Sequence, residues 1–321
     1  MVVTVKKTKN NVWREVMLRV LLAQACSGAF CFRYKYCTPS SVELVFDWYT
    51  SKWGFGIPAG FQMVLFGMYG VQEAMLLKQG DPNKIVKDHV LPAYLDWFET
   101  QSGSLQFRRQ TPLTVCNQLH RVRSPDEECM NVLKSYYFSG MRPKSSYRGS
   151  GALARSTPFL FSQELLGLPQ HYMLGVEVAN LTHDHVDPLV AVYAYMRLCA
   201  LLIEYGGQDL ESIFQSFYRA FPTLQTGNDS VADICMKYDT ALAIPALQAA
   251  IAAFKLGADT HDPILGYQAL VGSCARSRGD AEVIASLAGA LWGCYGYSVP
   301  NSFLVRLLER SIIESMVNDM F

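Results

Sequence analysis

The residues with most chemical potential in this chain run from its middle to its end. Between Ser135 and Ser162 a polar stretch carries Pro143, Ser145, Ser146, Gly149, Ser150 and Gly151. Arg142, Lys144, Arg148 and Arg155 stand in it or beside it. Several guanidinium groups on one long loop could meet a phosphate, and a solvated connection is the plainer alternative. Farther on, Thr182-His183-Asp184-His185 puts two imidazoles two residues apart. On a strand they would share a face, but here they precede Asp187 and belong in a turn. No Cys or carboxylate spacing completes a zinc site around them. Asp280 and Glu282 precede a small-residue apolar run. Taken alone they suit a helix cap and a first-turn acid, both favoured by the helix dipole.

The elements that must position these groups read as helices. Asn11 is placed to cap a first helix, and a loop from Gly54 to Gly60 feeds an apolar stretch from Met63 to Leu77. Asp81-Pro82, Asp187-Pro188 and Asp262-Pro263 each join a capping side chain to a residue tolerated in the first turn, so each opens a helix. Behind Pro188, the spacing of Val190, Tyr193, Ala194, Arg197 and Leu198, then Leu201 and Leu202, keeps one face mostly apolar with helical period. Ala246 to Leu256 ends at Gly257, which suits a left-handed cap. Ile284, Leu287 and Leu291 form one stripe, while Ala285, Ala288, Gly289 and Gly293 invite a neighbouring helix close. A last amphipathic helix is expected from Ser302, using Leu304, Leu307, Leu308, Ile312 and Met316. Alternating strand patterns and internal repeats are absent, and Leu105 to Phe107 is too short to decide. The expected fold class is all-α, with residues 1–321 as a single domain.

Composition narrows the partners. The 28 Lys plus Arg balance 28 Asp plus Glu, so no basic excess exists to hold nucleic acid or an anionic membrane. Charged residues make up 17% of the chain and apolar ones 50%, which excludes disorder. Nine cysteines without paired spacing read as reduced thiols of a cytoplasmic protein. Lys6, Lys7 and Lys9 ahead of Val20 to Phe32 imitate a secretory signal. Arg14, Glu15 and Arg19, with Val12, Val16, Val20 and Ala23, make that stretch an amphipathic helix instead. The longest uncharged apolar segment, Val283 to Tyr297, is shorter than the roughly 20 residues that span a bilayer. A soluble chain is expected, and zero net charge leaves self-association at high concentration open.

Three segments, in order, resemble the ADP-ribosylglycohydrolase family. Arg278-Gly279-Asp280-Ala281-Glu282-Val283-Ile284-Ala285 is similar to the family's Gly-Gly-Asp-Thr-Asp-Thr-Ile-Ala, with Tyr295-Gly296 and Val299-Pro300 following as in the family. Thr182-His183-Asp184-His185 is the second match, and Gly149-Ser150-Gly151-Ala152-Leu153-Ala154-Arg155 resembles Gly-Asn-Gly-Ala-Ala-Met-Arg. The resemblance implies an orthogonal multi-helix bundle around a cleft in which two magnesium ions organise an ADP-ribosyl group.

On that resemblance Asp280 and Glu282 are the residual metal candidates, and Thr182, His183, Gly149, Gly151 and Arg155 line a residual ligand cleft. Magnesium takes near-octahedral oxygen ligands, so the set can be checked position by position. The family's early Gly-Asp-Ala-Leu-Gly corresponds to Ser27-Gly28-Ala29-Phe30-Cys31, without a carboxylate. Its Thr-Asp-Asp-Thr ligands fall near Ile57 to Met63 and Tyr69 to Glu73, where Glu73 is the lone acid. No catalytic residue and no bound cofactor are therefore expected. Tyr69-Gly70-Val71-Gln72 resembles a degenerate branch holding the J-type lens crystallins of jellyfish and selenoprotein J, which implies a structural lens protein. Seventeen Tyr, seventeen Phe, five Trp, twelve Met and nine Cys give the polarizable composition that role favours. Two alternatives remain: a magnesium-dependent hydrolase using Asp280, Glu282 and Glu73, and a non-catalytic ADP-ribose binder.

Overall fold

The computed structural model describes residues 2–35, 40, 44, 54–103, 107–168, 171–207 and 209–321, with side chains from Asn10 onward except at 171. Cys37, Leu105 and the side chains of Lys6, Lys7 and Lys9 lie outside the described set. The main helices are α1 (Val2–Phe32), α2 (Ala59–Leu76), α3 (Leu91–Gln101), α4 (Glu127–Ser139), α5 (Gly151–Ser156), α6 (His171–Asn180) and α7 (Val186–Tyr205). They continue as α8 (Leu210–Ala220), α9 (Val231–Lys237), α10 (Ala243–Ala258), α11 (Pro263–Ala275), α12 (Ala281–Tyr295) and α13 (Arg310–Met320). Among the described residues no strand forms, and the extended pairings are the isolated bridges Phe55–Leu307 and Gly149–Leu242. The all-α expectation holds.

Helices α1 and α12 pack on each other at the centre, and side-chain size explains how closely. A Cβ on Gly293 would stand 2.6 Å from Val20 Cα, and one on Gly289 would collide with the Ala23 carbonyl and Ser27. Leu287, Ala288 and Leu291 of α12 and Val20, Ala23 and Cys26 of α1 are fully or almost fully buried. Around this pair, α10, α11 and α7 lie against α12, while α2 and α3 form a second layer beside α5.

Local capping signals hold where nothing tertiary competes. Asp81 accepts from Asn83 N, and Asp262 accepts from Ile264 N and Leu265 N. Elsewhere packing shifts the boundaries. Asn11 lies inside α1, not at its start. Asp187 sits in the first turn of α7, and His185 is the cap, its Nδ1 accepting from Asp187 N at 3.1 Å. Gly257 is no left-handed cap, since α10 continues to Ala258. A Cβ there would stand 2.8 Å from the Gly266 carbonyl, so this glycine admits the backbone of α11. The expected final helix is broken into Asn301–Leu304 and α13. Between them the fully buried Glu309 pairs with Arg123 at 2.7 Å and accepts from Ile57 N at 3.0 Å. A buried acid that satisfies both a guanidinium and a backbone donor holds the break in place.

Two helices, Asn10–Phe32 and Val186–Tyr205, are long and apolar enough to cross a bilayer, which the segment-length expectation overlooked. In this fold 72% of the first window and 50% of the second are buried inside the protein.

At the far end of α2, Glu73 pairs with Arg109 at 2.6 Å, and Arg109 also lies 3.4 Å from Asp96 of α3. Burial pushes the Asp96 carboxyl up to about 7; Arg109 opposes this, while Glu99 and Glu73 add to it.

Two predictions follow from these packing and charge relations. Gly289→Ala should destabilise the fold by about 1–3 kcal/mol by forcing α1 off α12, whereas Gly80→Ala, with open space around its Cβ, should be near neutral; chemical denaturation measures both. The folded pKa of Asp96 exceeds its unfolded value, so its contribution is present below about pH 4 and is lost as pH rises towards 7. Asp96→Asn should therefore match the parent near pH 4 and become the more stable protein by pH 8 in denaturation curves.

Candidate functional site

Three chain segments converge at the N-terminus of α12. Asp280 occupies the cap position, yet its side chain makes no cap hydrogen bond. The capping role expected from sequence alone is therefore incorrect. Its backbone N–H donates to Thr240 Oγ1 at 3.1 Å, and its carboxylate faces Ser150 Oγ at 3.5 Å. Ser150 N donates to Ala241 O at 2.8 Å and Ala243 N donates to Arg148 O at 3.0 Å. Those bonds clamp the Gly149-Ser150-Gly151 turn against the start of α10.

The opposite wall is aromatic. The Tyr147 hydroxyl donates to Asp126 Oδ2, and its ring lies 4.8 Å from the His183 ring, centroid to centroid. His183 is fully buried. Its Nδ1 lies 3.2 Å from an Arg155 nitrogen and 2.8 Å from Thr182 Oγ1. Arginine can only donate, so Nδ1 accepts and the ring proton is assigned to Nε2. That Nε2 has no partner, and it lies on the side of Gly151, whose Cβ would stand 4.0 Å away. Burial, then the charges of Arg155 and Arg142, hold the imidazole well below its usual pKa, so the ring is neutral.

Arg155 does not reach an anion. It is 1% exposed and lies behind His183, donating to Thr182 Oγ1 and to Cys129 Sγ at 3.2 Å. Of the other cations in the expected phosphate loop, Lys144 is exposed and the two arginines are paired in part. Arg142 bonds Asn180 at 3.2 Å, and Arg148 pairs with Asp187. Because α4 extends to Ser139, the loop itself covers only residues 140–150. A phosphate cradle built on these guanidinium groups is not what the fold presents.

The acids carry the electrostatic character of the site. Glu282 Oε1 pairs with Lys35 Nζ at 2.8 Å, with the glutamate side chain 8% exposed. Burial, with Asp280 adding, pushes the Glu282 carboxyl up to about 7 against the pull of Lys35. Asp280 is raised in the same direction, by burial first; Lys35 opposes, and Asp126 and Asp239 add. Lys35, Asp126, Tyr147 and Thr240 carry no motif, and sequence reasoning missed all four.

Among the described residues, a pair of magnesium ions does not fit the donor set. The Ser27 to Cys31 segment is packing surface: Ser27 bonds Tyr267 Oη at 2.9 Å, and Gly28 lies against Ser286. Gln62 is used by Trp97 Nε1 at 3.1 Å and by Arg121 O at 3.0 Å. Val71 is fully buried in the apolar core. Met63 contacts Arg155 through sulfur, and Glu73 is ten residues farther along α2, about 15 Å on. Among the described residues Glu73 is thus paired with Arg109, and no contact joins it to Asp280 or Glu282. Among the described residues no group of three or more His, Cys, Asp or Glu could hold a metal ion.

The comparisons with known proteins agree with this architecture. A solved structure described as an ADP-ribosylglycohydrolase-related protein complex is similar with a TM-score of 0.66 and 18% identity, over 96% of this chain and 97% of that one. No curated protein matches the sequence. The family model for ADP-ribosylglycohydrolase matches residues 20–321, and the chain belongs to the ADP-ribosylglycohydrolase family.

Proposed function

We propose that this chain is a non-catalytic member of its family, a structural protein of the lens-crystallin kind in which the ancestral dimagnesium site has been lost. The observation that carries the reading is the separation of its acids: Asp280 and Glu282 stand at the head of α12, while Glu73 is committed to Arg109 near the far end of α2. Each missing carboxylate removes both a ligand and a charge that a hard divalent ion requires. The polarizable composition supports the lens role, because tyrosine, phenylalanine, tryptophan, methionine and cysteine raise refractive increment per mass. Abundant, cytoplasmic accumulation belongs to the same reading, with self-association at high concentration and without nucleic acid or membrane as partner.

A second reading, a non-catalytic ADP-ribose binder, is favoured by one specific observation: the buried, unpartnered His183 Nε2 beside Gly151. Such a donor suits an oxygen acceptor on a ligand.

Thermal denaturation with millimolar magnesium and ADP-ribose separates these readings, because a ligand that binds the native state must stabilise it by mass action. The expected outcome is an unchanged Tm with either addition. A rise with ADP-ribose alone selects the binder. Release of ADP-ribose from a modified serine or arginine peptide, abolished by Asp280→Asn, would restore the hydrolase. Immunolocalisation outside transparent tissue would remove the lens role.

A further inference from the structure

The last turn of α1 delivers a cation to the acids at the head of α12. Tyr34 N donates to Cys31 O at 2.9 Å and Lys35 N donates to Phe32 O at 3.2 Å, so the chain tightens as it leaves the helix. The Tyr34 ring meets Phe30 edge-on at 5.4 Å, fixing the same turn to the core. The close approach at Gly289 and Gly293 sets α1 against α12, and Lys35 stands three residues beyond the end of α1. The ammonium lies 2.8 Å from Glu282 Oε1, with the lysine side chain 27% exposed. Asp280 is two residues upstream, where burial pushes its carboxyl up and Lys35 opposes the push.

We propose that Lys35 is a built-in cation that has taken over the charge-neutralising place of divalent ions at Asp280 and Glu282, so that the fold holds these acids without magnesium. This rests on the non-catalytic reading and deepens it. A tethered ammonium requires no free ion and no dehydration of a hexahydrated one, so it holds the site at any magnesium concentration. It also repels a second cation from the same carboxylates, which makes the site selective against the metal. The Glu282 Oε2 atom, buried and without a partner, leaves one oxygen for which the lysine alone does not provide.

The test compares Tm in EDTA and in millimolar magnesium chloride, with sodium chloride at matched ionic strength as control. The parent protein should give one Tm throughout. Lys35→Met should lose several degrees in EDTA and recover part of the loss with magnesium but not with sodium. The double variant Lys35→Met with Glu282→Gln should regain stability and lose the magnesium response, because both sides of the charge balance are then removed. If Lys35→Met is too unstable to purify, the double variant decides: a folded protein supports charge balance, and an unfolded one overturns it. An unaltered Tm for Lys35→Met, with no response to magnesium, also overturns the proposal and leaves the non-catalytic reading standing. A parent protein stabilised by magnesium would sink that reading itself.

Discussion

The close approach of α1 and α12 is the constraint on which the rest of the molecule depends. Four small residues on one face of α12 allow the backbone of α1 to come within side-chain range, and no larger residue could stand at Gly289 or Gly293 without moving a carbonyl or a Cα. Burial is the favourable term, but burial alone would accept many spacings. The glycines select one. That spacing fixes the end of α1 relative to the start of α12, and so brings Lys35 to Glu282 across 247 residues of sequence.

This arrangement explains which parts of the molecule were legible in the sequence. Asp81 and Asp262 behave as their local chemistry dictates, because a carboxylate beside free amides needs no distant partner. The small-residue stripe of α12 was legible for a similar reason, since its period and residue sizes are properties of one segment. Gly257 was misread because its value lies in the approach of α11, which no local pattern encodes. The last helix was misread because Glu309 serves Arg123 and Ile57, both far away in sequence. The membrane-length test failed differently: scattered charges in Arg14, Glu15 and Arg19 hid a helix whose apolar window is mostly core.

The candidate site divides in the same way. Asp280, Glu282, Thr182, His183, Gly149 and Gly151 lie around one region, as the ordered motifs implied. Arg155 was found but given the wrong partner, because spacing places a residue near a loop without saying whether it faces solvent or core. Tyr147 and Asp126 had no signal at all, since their meeting joins two segments of ordinary composition. Glu73 shows the converse error. It is a carboxylate in the right stretch of sequence, and α2 carries it away to Arg109.

Arg155 and Lys35 meet opposite electrostatic problems in two parts of the candidate site. A buried guanidinium ordinarily needs a carboxylate, and leaving it unpaired is costly. Among the described residues its partners are a hydroxyl, a thiol, a thioether and an imidazole, none of them a carboxylate. Its positive charge adds to burial in holding the His183 pKa down, so the ring stays neutral. Had His183 been protonated, two cations would share a buried volume with no anion between them. At the other wall the acids are in excess, and Lys35 supplies the cation. The two regions thus carry opposite excess charge, an unpaired guanidinium beside a neutral imidazole in one and two carboxyls beside a single ammonium in the other.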